Sequence, residues 1–200
     1  MKKLLLLILI LVSFKSNSQQ TETYKNFIEQ LKKDSKTDKN DKTVYNLLND
    51  FYEQVLQSEK GEMTPEIPER IQKLYENKNA KNLQILNMFF AYQEHISQTA
   101  AVGKKTDPNF QVNLMTDLES EIKNTYGKIP VLIRIYKSEA LESDGQTEEA
   151  AKLISESLIE YPDSVPLKVY KYLGTKDETI KKDLIQNHPN HWMVVQYEIK

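Results

Sequence analysis

Residues 131–164 read VLIRIYKSEALESDGQTEEAAKLISESLIEYPDS. The run 131–143 is rich in helix formers, residues 144–147 have the composition of a tight turn, and 148–161 form a second run that Pro162 stops. Because the connection between them is so short, the two helices must lie antiparallel. The stretch therefore predicts a helical hairpin.

This hairpin resembles a tetratricopeptide repeat (TPR), whose helices need small residues where they cross closely. The unit is 34 residues long, and the residues that carry the resemblance are Ala140, Gly145, Ala150, Leu153, Ile154, Leu158 and Tyr161-Pro162-Asp163. Arg134 and Leu141 replace the family's large aromatics, while Ser138 and Ser157 replace a Gly and an Ala and stay small. A weaker, shortened copy extends from Val165 towards residue 200. A plain helical bundle is the alternative interpretation.

The resemblance implies a right-handed superhelix of stacked hairpins, since one hairpin cannot bury its apolar face alone. It also implies a concave surface that receives a peptide or protein segment. By their place in the pattern, the residues expected to line this surface are Leu132, Ile135, Glu139, Glu142, Lys168, Val169 and Tyr172. The competing interpretation is that Leu132, Ile135 and Val169 are core. Five tyrosines suit either a core edge or a groove, namely Tyr136, Tyr161, Tyr170, Tyr172 and Tyr197.

Outside the hairpin, glycines follow runs of helix formers and prolines lie near the start of the next run, which predicts an all-α fold. Apolar residues repeat at helical spacing upstream, and the segment 82–96, with Phe89, Phe90 and Tyr92, is apolar nearly all round, as a central helix would be. Asp107 and Pro108 predict a helix start, and Thr175 to Glu178 a capping box. The segments 131–135 and 192–197 could instead be strands because they are rich in β-branched residues.

The segment 32–42 contains five Lys and three Asp and no large apolar residue. This composition predicts a solvated, mobile loop. A basic contact patch is the alternative, although the interleaved acids cancel much of its field.

The N-terminus has the three-part pattern of a secretory signal peptide: Lys2 and Lys3, an apolar run over 4–12, and small residues around 16–18. We expect cleavage after Ser18; an uncleaved anchor is the alternative. Removal of three lysines with this segment changes the net charge from −2 to −5. The predicted organisation is a signal peptide (1–18), an N-terminal helical region (19–127) and a TPR-like region (128–200). The product should be soluble in a periplasm or outside the cell.

The composition excludes several classes of function. The chain has no Cys, so it has no disulfides, no thiolate metal site, no cysteine nucleophile and no lipoprotein anchor. Its near-neutral charge argues against nucleic-acid binding. Its five glycines form no phosphate-binding loop.

Only three histidines are available for imidazole chemistry. A metal site can be drawn from Asp183, His188 and His191, but helix-end or surface roles are the simpler interpretation. His95 is expected to be a partly buried histidine. Paired glutamates, such as Glu119 with Glu121 or Glu148 with Glu149, lie on faces expected to be exposed.

The sequence thus predicts an exported, non-enzymatic protein without cofactor or metal that binds another polypeptide. One alternative is a helical-bundle carrier or enzyme subunit that holds an apolar ligand against Phe89, Phe90 and Tyr92. Another is a metal-dependent enzyme that uses His188 and His191.

Overall fold

The computed structural model describes residues 17–102 and 107–200, without the side chains of 17–21 and 99–102. The described residues form ten α-helices and one π-helical turn, and their β pairing is limited to a single bridge between Lys36 and Lys81. The all-α prediction is confirmed, and both segments that could have been strands are helical. The proposed signal peptide lies outside the described residues except for 17 and 18, and Gly103 lies outside them as well.

The chain divides after Ser35 into two compact units. In the first unit the structure describes helix α1 (Asn17–Lys33). This helix includes the apolar stripe that starts at Tyr24 and ends at Leu31. The second unit comprises residues 36–200.

The second unit begins with α2 (Thr43–Tyr52), which continues into the π-helical turn Glu53–Gln57. Helix α3 (Glu66–Glu76) and helix α4 (Leu83–Val102) follow. On α4 the buried side chains are Ile85, Leu86, Met88, Phe89 and Tyr92. Because they lie on most sides of the helix, α4 is central, as its sequence predicts.

Helix α5 (Pro108–Tyr126) begins and ends where its sequence predicts. The Asp107 side chain accepts a hydrogen bond from the backbone N–H of Phe110 at 3.0 Å, which makes it the N-cap. Gly127 ends the helix at φ +75°, a left-handed conformation that glycine adopts without steric cost.

Helices α6 (Val131–Ser143) and α7 (Thr147–Glu160) form the predicted hairpin, with Gly145 in the turn at φ +78°. The two helices pack on each other, and α6 also packs on α5. Their small residues Ser138, Ala140, Ala150 and Ser157 are all buried. Close packing of the two helices requires such small side chains.

The chain ends with α8 (Val165–Thr175), α9 (Glu178–Asn187) and α10 (Trp192–Gln196). The prediction of Thr175 as the N-cap of α9 is wrong. Asp177 is the cap, and its carboxylate accepts from the N–H groups of Thr179 and Ile180 at 2.8 and 3.3 Å. Gly174, expected to end α8 in a left-handed conformation, lies within the helix, and Lys176 is the left-handed residue at φ +55°.

Of the segment 32–42, expected to be a mobile loop, residues 32 and 33 are the last of helix α1, and the part 36–42 is held by the buried side chain of Asn82. Its amide Nδ2 donates to the carbonyls of Asp38 and Asp41 at 2.8 and 3.0 Å, and its Oδ1 accepts from the N–H of Asp38 at 2.9 Å. The backbone N–H of Asn82 donates to the Lys36 carbonyl at 2.8 Å. These four bonds give the loop a defined conformation.

Elements far apart in sequence also pack together. Helix α2 packs on α6, and the π-helical turn packs on α8. The Tyr52 hydroxyl lies 2.7 Å from the Ser164 hydroxyl and 2.7 Å from Oε1 of Gln57. The backbone N–H of Trp192 donates to the Glu59 carbonyl at 2.9 Å. The helices therefore contact more than their neighbours in sequence, which differs from a simple one-dimensional stack.

Candidate functional site

The second unit has a cleft of about 520 Å³ at the ends of α6, α7 and α8. Small residues on all three helices, such as Ser138, Ala151 and Gly174, form part of the wall and leave room between the larger side chains. The residues that line the cleft are Ser138, Glu139, Glu142, Ser143, Thr147, Ala150, Ala151, Ile154, Tyr170, Lys171, Leu173, Gly174 and Thr175. A cleft of this size can hold a side chain together with its flanking backbone.

Glu139, on α6, is the acidic group of the cleft wall. The Tyr170 hydroxyl, on α8, donates a hydrogen bond to its Oε1. Burial raises the pKa of Glu139 because it disfavours the charged form, and the hydrogen bond from Tyr170 partly opposes this effect. Burial and the Glu139 charge also raise the pKa of Tyr170. Its hydroxyl therefore stays protonated and can donate the hydrogen bond at all ordinary pH values.

Two further tyrosines lie behind this pair. The Tyr92 hydroxyl donates to the backbone carbonyl of Tyr136 at 3.0 Å, and the Tyr136 ring stacks on Phe89 with centroids 6.1 Å apart. Burial raises the pKa of both phenols. The surroundings of Glu139 are therefore uncharged and aromatic on this side.

The cleft lining also contains one further acidic residue, Glu142, and one basic residue, Lys171. Glu142 is exposed, and its carboxylate accepts a hydrogen bond from the Thr147 hydroxyl at 3.4 Å. The Lys171 ammonium donates to the Ser155 hydroxyl at 2.7 Å. Together with Glu139, these groups give the cleft two carboxyls and one ammonium.

Of the seven residues that the resemblance implied as contacts, Glu139 and Glu142 line the cleft. Leu132, Ile135 and Val169 are fully buried, so a partner would find no surface of theirs to contact. They belong to the core because α6 and α8 are covered on those faces.

The remaining two implied contact residues make other interactions. The Lys168 ammonium pairs with the Asp183 carboxylate on α9 at 2.7 Å. The Lys176 ammonium lies 5.2 Å from the centroid of the Tyr172 ring, a cation–π arrangement. Neither residue lines the cleft.

Sequence reasoning missed most of the wall that α7 contributes. Ala151 and Ile154 line the cleft although the repeat pattern places peptide contacts on the first helix of each pair. The available signal was the pair of adjacent alanines at 150 and 151, since two small residues in succession leave room beside the neighbouring helix. Tyr170, which could have been a core edge or a groove residue, lies in the cleft.

Two of the three residues considered as metal ligands, Asp183 and His191, have other hydrogen-bond partners. The Asp183 carboxylate accepts from Lys168 and from the Asn187 amide, both at 2.7 Å. His191 is the N-cap of α10, where its Nδ1 accepts from the N–H of Met193 at 3.3 Å, and burial lowers its pKa. Within the ranges 17–102 and 107–200, no three His, Asp or Glu side chains come together as a set of metal ligands.

The other candidate groups have structural partners. The imidazole of His95 packs beside Phe110, with ring centroids 4.8 Å apart. The Glu119 carboxylate pairs with both Arg134 and Lys137 on α6. Phe89 and Tyr92 are buried, and Phe89 makes an edge contact with Phe51 at 5.5 Å. Their rings face other side chains, and neither lines the cleft.

Comparison with protein-family models, curated proteins and solved structures finds no match. Among the helices of the described residues, none combines the length and the apolar character needed to span a membrane.

Proposed function

We propose that the protein is an exported, non-enzymatic binding protein whose cleft receives a segment of another polypeptide. In this proposal α6 to α10 act as TPR-like hairpins, and no cofactor takes part. The observation that carries the proposal is the open cleft between α6, α7 and α8, with its mainly small and apolar lining and a few polar groups. Recognition sites in proteins commonly combine these two kinds of lining.

Two features support a polypeptide as the ligand, and a third supports export. The 34-residue hairpin 131–164 has the spacing and small residues of a repeat family that binds peptides. The cleft opens at helix ends, where backbone and hydroxyl groups such as those of Thr147 and Thr175 can bond an extended chain. The basic, apolar and small-residue segments at the N-terminus support export.

The test is site-specific photocrosslinking in the cells that make the protein. A photoreactive amino acid at Ala151, in the cleft, should capture one defined polypeptide. The same amino acid at Lys152, which is adjacent on α7 but outside the cleft, is the matched control. Equal capture from both positions, or capture of nothing at Ala151, would contradict the proposal.

A further inference from the structure

We propose that the cleft receives a basic side chain, lysine or arginine, of the partner polypeptide and pairs its cation with the carboxylate of Glu139. This inference rests on the proposed function, because it specifies which part of a bound polypeptide enters the cleft.

The first observation is that, among the described residues, Glu139 is not paired with a cation, whereas two other partly buried carboxylates are. Glu119 pairs with Arg134 and Lys137, and Asp183 pairs with Lys168 at 2.7 Å. Glu139 is partly buried, and its hydrogen-bond partner among the described residues is the Tyr170 hydroxyl. A buried carboxylate without a cation is unfavourable, and a cation supplied by a ligand would remove that penalty.

The second observation is that three cations, two on α6 and one in the cleft lining, have partners other than Glu139. Arg134 and Lys137, on the same helix as Glu139, bind Glu119 on α5. The Lys171 ammonium, which lines the cleft, is held by the Ser155 hydroxyl at 2.7 Å. The other groups that face Glu139 are phenols: Tyr170 from α8, Tyr136 from α6 and Tyr92 from α4. None of the ion pairs of the described residues includes Glu139, and a basic side chain of the partner would supply its counter-charge.

The third observation is the match between the cleft walls and a long basic side chain. Lysine and arginine bury their methylene stems against apolar surface while the charged head reaches a polar group. Ala151, Ile154 and Leu173 provide the apolar surface, and Glu139 provides the polar group. Glu142, exposed at the rim, adds a second negative charge at the entrance.

The experiment uses the isotope-labelled full chain and three blocked tripeptides, Ala-Lys-Ala, Ala-norleucine-Ala and Ala-Glu-Ala. Norleucine keeps the length of the lysine stem but carries no charge. We expect the lysine peptide to shift the NMR signals of Ala150, Ala151 and Leu173 and to bind at least about tenfold more tightly than the norleucine peptide.

Two variants locate the effect. Glu139→Gln should abolish the preference for lysine over norleucine, whereas Glu148→Gln, an exposed acid outside the cleft on α7, should keep it. A second measurement, the pKa of the Glu139 carboxyl, uses the native protein and needs no variant. The lysine peptide should lower this pKa, and the norleucine peptide should not.

The outcomes separate this inference from the proposed function. If the norleucine peptide shifts the cleft signals as strongly as the lysine peptide, the cleft binds polypeptides but the basic-side-chain inference is wrong. The same conclusion follows if Glu139→Gln keeps the lysine preference. If none of the three peptides shifts the cleft signals, the basic-side-chain inference is overturned, and the proposed function is decided separately by crosslinking at Ala151.

Discussion

At the scale of single residues, the cleft wall contains the carboxyl group of Glu139, whose surroundings disfavour its charged form. Glu139 lies in the cleft wall beside Tyr170, and burial raises its pKa above the ordinary value of 4.5. The folded protein therefore binds a proton at this carboxyl more readily than the unfolded chain does. The stability that this proton confers is fully present below the unfolded pKa and is lost as the pH rises through the folded pKa.

Glu139→Gln should therefore stabilise the protein at neutral pH, because the amide has a similar shape and carries no charge. The gain should shrink as the pH falls through the raised pKa of Glu139, because the native carboxyl then takes up its proton and loses the penalty of a charged group. A tenfold difference in proton affinity corresponds to about 1.4 kcal/mol. Urea unfolding at neutral pH and at a pH below this raised pKa measures the effect, and Glu62→Gln in an exposed loop is the control. If Glu139→Gln changes the free energy of unfolding by the same amount at both pH values, the pKa of Glu139 is not raised in the folded protein.

A second prediction at the residue scale concerns Asn82, which holds the segment 36–42. Asn82→Gly keeps the left-handed backbone, at φ +59°, but removes three side-chain hydrogen bonds, so we expect a loss of about 2 to 4 kcal/mol in unfolding free energy. Asn82→Ala should cost about 1 kcal/mol more, because alanine is strained at positive φ. Asn46→Ala, exposed on α2, should cost much less. A loop that is mobile would show no loss for either Asn82 variant.

At the scale of elements, local signals predicted most helices because each signal acts through the backbone beside it. Asp107 with Pro108 starts α5, and Gly127 ends it, as expected. The start of α9 was placed wrongly because two good caps lie two residues apart. The Thr175 hydroxyl instead donates back to the Lys171 carbonyl at 2.7 Å, at the end of α8, which leaves Asp177 to cap α9. Local sequence does not decide between such competing hydrogen bonds.

A pair of substitutions tests this assignment. Asp177→Ala should lower the free energy of unfolding by about 1 kcal/mol, the usual cost of losing an N-cap. Thr175→Ala should cost less, since its hydroxyl bond is exposed. The comparison is made by chemical unfolding monitored by circular dichroism. A larger loss for Thr175→Ala than for Asp177→Ala would mean that Thr175 is the N-cap of α9, as the sequence predicts.

At the scale of the second unit, the contacts between distant elements were beyond sequence reasoning. The Tyr52 contact with Ser164 joins residues 112 positions apart, and no periodicity encodes such a pairing. The cleft escaped prediction for the same reason, because it exists only where the ends of three helices meet. Single residues of the site, Glu139 and Glu142, could be predicted, but the Ala151 wall and the Tyr170 hydrogen bond could not. The boundary expected after residue 127 stays a prediction.

Gly61 tests the contact between the loop after the π-helical turn and α10. Its φ is +66°, and a Cβ there would lie 2.8 Å from the Trp192 ring, so Gly61→Ala should be strained and should also displace Trp192. Gly145→Ala is the matched control, because Gly145 has φ +78° but no atom within 4 Å of the added Cβ. We expect the control to cost about 1 kcal/mol and Gly61→Ala about 1 to 3 kcal/mol more in thermal unfolding. Equal costs would mean that Trp192 does not pack there.

The central claim is that a polypeptide binds in the cleft, and the most direct measurement is the affinity of the crosslinked partner, once purified, for two tryptophan variants. Ala151→Trp fills the cleft from α7, whereas Lys152→Trp adds the same side chain to the neighbouring exposed position. Calorimetric titration should give a Kd at least about tenfold weaker for Ala151→Trp and an unchanged Kd for Lys152→Trp. Native affinity in Ala151→Trp, with its fold intact, would contradict the claim.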